Sequence, residues 1–141
     1  MIDHDALNQL VSGLSPEIEK VSLAGIRTVT DEHIEKLVSR CKKISALSIR
    51  GFRSWSPLTN KTITSILNNL KSLTELDIRG YPNIELKKVL ELESLPKLQV
   101  LNYGLFPFDE MPGLMKKNPH LIINKKENNN VINVGGRIAK I

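Results

Sequence analysis

Apolar residues recur along this chain in one frame, apolar-x-x-apolar-x-apolar, and each occurrence leads into a glycine. The four gapless copies place Ile18, Val21 and Leu23 before Gly25, Ile44, Leu47 and Ile49 before Gly51, Leu73, Leu76 and Ile78 before Gly80, and Leu98, Leu101 and Tyr103 before Gly104. Their starts lie 26, 29 and 25 residues apart, and a weaker fifth copy starts at Leu121. Alternation inside each copy predicts a short strand with one apolar face. A second anchor follows each strand, at Val29-Thr30-Asp31, Leu58-Thr59-Asn60, Ile84-Glu85-Leu86 and Phe108-Asp109-Glu110. It arrives three residues late in the second copy, which localises an insertion within Arg53-Ser54-Trp55-Ser56-Pro57.

After the anchor the apolar period changes to that of a helix. Ile34, Leu37, Val38 and Cys41 fall at i, i+3, i+4 and i+7, as do Ile63, Ile66, Leu67 and Leu70. Thr30 and Thr59 stand where N-caps belong, because a hydroxyl there can accept from an orphan backbone N–H of the first turn. Less regular helices are expected near 85–95 and 109–117, with Pro112 restricted to the start of the latter. Residues 3–14, capped by Asp3 or Asp5 and presenting Leu7, Leu10, Val11 and Leu14, read as a leading helix that shields the open end.

One strand-turn-helix unit cannot bury its apolar side alone, so units of this period bury it by stacking. The expected fold class is α/β: a short right-handed solenoid of about four to five repeats, with parallel strands on the concave face and helices on the convex face. Residues 1–124 form this domain with its capping helix. Residues 125–141 are either a polar tail or a hairpin that closes the last edge, since Val131–Val134 returns to strand-like composition after Lys125–Asn130.

The 25 to 29 residue period, together with Val29-Thr30-Asp31 and the pre-strand Cys41, most resembles the cysteine-containing subclass of leucine-rich repeats. Such repeats are found in F-box substrate receptors and in proteins similar to the antagonist of mitotic exit. The likeness covers roughly residues 14–124, with Leu70, Leu95 and Asn118 replacing the cysteine in later copies. It implies a scaffold for binding proteins. An F-box of about forty residues is not expected, because only seventeen residues precede Ile18.

The net charge of +5 invites a nucleic-acid reading, but its distribution argues against one. Lys125, Lys126, Arg137 and Lys140 against Glu127 place +3 in the last seventeen residues, leaving only +2 on the first 124. A basic-tail nucleic-acid accessory is therefore the weakest alternative, behind a structural subunit of a larger assembly. No apolar run reaches the length of a membrane helix, and the acidic start Met1–Asp5 has no apolar region of a secretory signal. With Cys41 as the single cysteine, an intracellular, cytoplasmic protein is expected.

Catalytic chemistry finds no constellation. His4, His33 and His120 lack metal-ligand spacing and read as solvated surface. Cys41 reads as a packed thiol in its helix's apolar row. Val134-Gly135-Gly136-Arg137 has neither the spacing nor the helix of a phosphate loop, and Glu75, Asp77, Asp109 and Glu110 have no Ser/His partners. No enzyme activity, cofactor, metal or small-molecule substrate is expected.

The outward strand rows are Lys20, Ser22, Ala24; Ala46, Ser48, Arg50; Glu75, Asp77, Arg79; and Val100, Asn102, Gly104. Register should set Arg50 beside Arg79 and Ser48 beside Asp77. The expected role is a non-enzymatic module binding a protein partner through this concave sheet and the insertion, using Arg50, Trp55, Glu75, Asp77, Arg79 and Asn102. Trp55 is either an interface anchor or local packing over the rim, while Phe52 and Tyr81 should pack inward.

Overall fold

A computed structural model describes residues 3–51, 58–104 and 122–123 of the chain. Five parallel strands, β1 (Lys20–Ser22), β2 (Ala46–Ser48), β3 (Glu75–Arg79), β4 (Val100–Gly104) and β5 (Ile122–Ile123), form one sheet in sequence order. Helices α1 (His4–Gly13), α2 (Asp31–Arg40), α3 (Asn60–Asn69) and α4 (Leu86–Val89) alternate with them, and α4 continues as a 3₁₀ turn over Leu90–Ser94. The protein is thus an α/β fold on a parallel sheet.

Register follows the apolar frame. Val21 pairs with Leu47, Leu47 with Leu76, and Leu76 with Leu101, each the middle apolar position of its copy. All four are buried, within one cluster that includes Leu7 and Val11 of α1, Ile34 and Leu37 of α2, and Ile63 and Ile66 of α3. A fully buried Leu or Ile contributes about 1.5–3 kcal/mol relative to exposure, so one row of in-register apolar residues is a large share of a small domain's stability. The fifth copy enters one residue earlier than a start at Leu121 requires. Ile122 pairs with Val100 and Ile123 with Leu101.

Main-chain hydrogen bonds repeat at the same period. The Glu19 carbonyl accepts from Ser45 N (2.7 Å) and Ala46 N (3.1 Å), that of Ser45 from Thr74 N (2.7 Å) and Glu75 N (3.0 Å), and that of Thr74 from Gln99 N (2.7 Å) and Val100 N (2.9 Å). Just before, each strand is introduced by the same turn, Ile18 N to Ser15 O, Ile44 N to Cys41 O, Leu73 N to Leu70 O and Leu98 N to Leu95 O.

The helix starts are tied to one another as well. Asp3 caps α1 through a bond from Ala6 N (2.8 Å), and Thr59 caps α3 through one from Lys61 N (3.2 Å). Asp31, in the first turn of α2, reaches the start of α3 and accepts from Thr59 N (3.0 Å), Thr59 Oγ1 (2.7 Å) and Thr62 Oγ1 (2.6 Å). Asn60, one unit on, accepts from Glu85 N at 3.0 Å and donates to Glu85 Oε1 at 2.9 Å. Leu86 occupies the next corresponding place and has no oxygen to offer. Glu85 makes no side-chain cap bond to α4, and Pro96 bars a helix beyond Leu95, which accounts for the short final helix.

Two glycines are required where adjacent turns meet. Gly80 has φ +95°, and a Cβ there would lie 2.5 Å from Gly51 O. A Cβ on Gly51 would lie 2.6 Å from the ring of Tyr81, whose hydroxyl donates to Ile49 O. Tyr81 is buried, as its inward position anticipated, and burial pushes its phenol pKa up. Phe52, Trp55 and the expected helix at 109–117 lie outside the described residues.

Two substitutions test this architecture. Leu76→Asp places a carboxylate at a 1 % exposed position in the core row, so circular dichroism should show an unfolded chain at 25 °C. Asp31→Ala removes three accepted bonds and strands the fully buried Thr62 hydroxyl. Urea unfolding should register a loss of about 2–4 kcal/mol.

Candidate functional site

The sheet face opposite the helices carries three rows of side chains, fixed by the same register that aligns the core. The first row is Lys20, Ala46, Glu75 and Val100, and the second is Ser22, Ser48, Asp77 and Asn102. Two residues further along the strands the third row runs Ala24, Arg50, Arg79 and Gly104, its main chain joined by bonds from Gly25 N to Arg50 O and from Gly51 N to Arg79 O, both 2.9 Å. Arg50 therefore neighbours Arg79, and Ser48 neighbours Asp77.

Asp77 and Arg79 are two apart on one strand, so they share this face and meet. Arg79 donates from Nε to Asp77 Oδ1 at 3.0 Å and from its terminal nitrogen to Oδ2 at 2.7 Å, while Arg79 N donates to Oδ1 at 3.2 Å. Planar forks of this kind fix both partners. Their side chains are only 22 % and 14 % exposed, so the guanidinium is held in a set orientation at the surface.

The remaining expected contacts divide. Arg50 and Glu75 are exposed, and Ser48 and Ala46 are half-buried between them. Asn102 was expected as an open polar contact, but it is 9 % exposed and its neighbour Val100 is 6 % exposed. Asn102 Oδ1 is buried with no hydrogen-bond partner. Alternation correctly assigns both residues to this face but does not report what lies over it. Ser22 is likewise buried, with its hydroxyl accepting from Ala24 N at 3.3 Å.

Sequence spacing missed a histidine pair. His4 and His33 lie 29 residues apart in the chain, yet their rings stack 5.3 Å apart between α1 and α2. His33 is buried, not solvated. Its Nδ1 accepts from Thr30 N at 3.0 Å, while the Thr30 hydroxyl caps His33 N at 3.4 Å, completing a reciprocal helix cap. The clue in the sequence was His at the third helical position after a Thr N-cap, where Glu or Gln usually closes the box. Burial holds the His33 pKa below 6.5, with a hydrogen bond to the His4 backbone and Glu32 pulling the other way and the His4 ring and Lys36 adding to the depression.

Other candidate chemistry is quiet. Cys41 is buried and burial raises its pKa, which makes it the packed thiol its position suggested and a poor nucleophile. Several cations near helix ends serve neighbouring carbonyls and carboxylates. Lys71 Nζ donates to Leu67 O at 2.5 Å, Arg40 Nε to Leu14 O at 2.8 Å, and Lys43 pairs with Glu17 at 2.5 Å. No group of three or more His, Cys, Asp or Glu suited to a metal occurs among the described residues, and no described helix is long and apolar enough to cross a membrane. No protein-family model matches the chain.

Acid should loosen the α1–α2 junction. The folded state depresses the His33 pKa below its unfolded value of 6.5, so stability is full above pH 6.5 and falls as acidification protonates the unfolded chain preferentially. Thermal melts between pH 7.5 and 5 should show a declining midpoint, and His33→Gln should flatten the decline.

Proposed function

We propose that this chain is a leucine-rich-repeat solenoid that binds a protein partner through its strand face and catalyses no reaction. The shared 25 to 29 residue frame, the recurrent pre-strand turn and the in-register core row support the repeat reading. What carries the binding reading is the third outward row. Arg50 stands exposed beside a guanidinium already oriented by Asp77, so a polar recognition surface is preorganised without ligand. Preorganised arginine is a frequent interface hot spot. The insertion that follows Gly51 in the sequence carries Trp55, which is proposed as an apolar anchor for the same partner. The protein is proposed to act in the cytoplasm.

A second reading, that the chain is a subunit of a larger assembly, draws on Leu86 and Leu90. They are 40 % and 36 % exposed at i and i+4 on the last described helical segment. Light scattering on a size-exclusion column distinguishes a self-sufficient monomer from a chain that associates.

Arg50 is a cleaner probe than Arg79, because removing Arg79 also strips Asp77 of its fork and costs stability. Affinity capture from source cells followed by mass spectrometry should recover a specific partner with the unaltered chain. Arg50→Glu and Trp55→Ala should each reduce that recovery roughly tenfold or more, with melting temperatures near that of the unaltered chain. Undiminished recovery with both variants would remove this face from the interface.

A further inference from the structure

We infer that α1 is an acid-released cap: protonation at the contact between His4 and His33 undocks this helix from α2 while the sheet behind it stays assembled. The contact is built for a neutral His33 ring. His33 Nδ1 stands 3.0 Å from Thr30 N, whose hydrogen it accepts, and 3.0 Å from Thr30 Oγ1. A proton on Nδ1 turns that acceptor into a donor, so the Thr30 N–H loses its partner and half of the reciprocal cap is gone. The Thr30 hydroxyl alone is left to take the new hydrogen. The His4 ring stacks on the same imidazole at 5.3 Å, so two protonated rings would repel across the helix junction.

The groups acting on His33 divide by sign. Burial opposes its charge, joined by the His4 ring of α1 and by Lys36 of α2, whereas a hydrogen bond to the His4 backbone and Glu32 of α2 favour it. Asp5 is the other charged residue of α1, and the exposed Lys61 is the charged residue of α3, which also packs against α2. Burial is the largest of these effects, so His33 takes its proton more readily once α1 has left. The cap therefore holds above pH 6.5, the unfolded value, and is released as acidification proceeds below it.

α1 is also the element that can leave with least disturbance to the rest. It contributes no strand to the sheet, and its fully buried side chains are Leu7 and Val11. Its polar ties to the next unit run from Lys36 Nζ to Asn8 Oδ1 at 3.4 Å, from Arg40 Nε to Leu14 O at 2.8 Å, and from Cys41 Sγ to Ser15 O at 3.5 Å. End elements of a stacked array open locally before the whole fold does. The last of those ties supplies a reporter, because Cys41 is the single cysteine of the chain and is fully buried.

The test uses the full chain and 4,4′-dithiodipyridine, a disulfide reagent that reacts with thiols in mild acid. Protection of Cys41 is the ratio of its labelling rate in unfolding urea to its rate in buffer at the same pH. Between pH 7.5 and 5.5 it should fall about tenfold, while circular dichroism at both values still shows the folded chain. His33→Gln, which can accept from Thr30 N without titrating, should hold protection constant within about twofold. Hydrogen exchange read by mass spectrometry gives a check that needs no variant. At pH 5.5 the amides of Leu7–Val11 should lose protection while those of β2 and β3 keep theirs. Protection of Cys41 that ignores pH, or that falls together with the circular dichroism signal, would overturn the proposal. Equal loss of protection in α1 and β3, or an undiminished pH dependence in His33→Gln, would do the same.

Discussion

A strand of three to five residues with one apolar face has no stability of its own, and everything else in this protein follows from how that face is covered. Val21, Leu47, Leu76 and Leu101 each lie beside the next in a parallel sheet, so each strand's apolar position is shielded laterally by its neighbours and from above by the helices. This works only if successive units enter the sheet in phase. The carbonyls of Glu19, Ser45 and Thr74 impose the phase by accepting two N–H groups apiece from the following unit. A parallel pairing error of one residue would break those paired bonds and turn the leucines outward at once. Register is therefore doubly determined, by polar main-chain geometry at the strand entrance and by apolar side chains within it.

The same phase generates the outer face. Once the leucines are aligned inward, the residues between them have no choice but to align outward, which is how Arg50 meets Arg79 and Ser48 meets Asp77 across strands. The charged face is thus a by-product of core packing in its placement, although its chemical content is free to vary. That separation allows the outward residues to change without retuning the interior. The tie from Asp31 to Thr59 and Thr62, and from Asn60 to Glu85, serves the other edge of the layer, fixing helix starts in the spacing that the strands dictate.

Periodicity made much of this legible beforehand. The strand positions, the three described long helices, the Thr30 and Thr59 caps and the core row all repeat, and a repeated signal reinforces itself across copies. Features that occur once, or depend on contacts between copies, were not legible. His33 looked solvated because it is polar and near a helix start; its burial depends on α1 folding over α2, which no local pattern encodes. Asn102 was assigned to the correct face by alternation, but exposure is a property of what covers a face and not of the strand itself. The fifth copy, the weakest in the sequence, is displaced by one residue: a start at Leu121 would set position 124 opposite Leu101, whereas Ile123 pairs with it.

The Asp77–Arg79 fork illustrates how a local sequence relation becomes a functional argument. Residues two apart on a strand always share a face, so an acid and an arginine at that spacing can pair in any exposed strand, usually with little net stabilisation. Here the pair is sunk to 14 % and 22 % side-chain exposure, and the main-chain N–H of Arg79 joins the same carboxylate. Solvent screens such a pair less than an open one, and the guanidinium loses most of its rotamer freedom during folding. A partner that later contacts Arg79 does not have to immobilise it. Arg50, on the next strand, is exposed, and the adjacent outward residue of its own strand is Ser48. The two arginines thus differ in exposure: one is sunk against the acid of its own strand, and the other stands exposed at the neighbouring position in register.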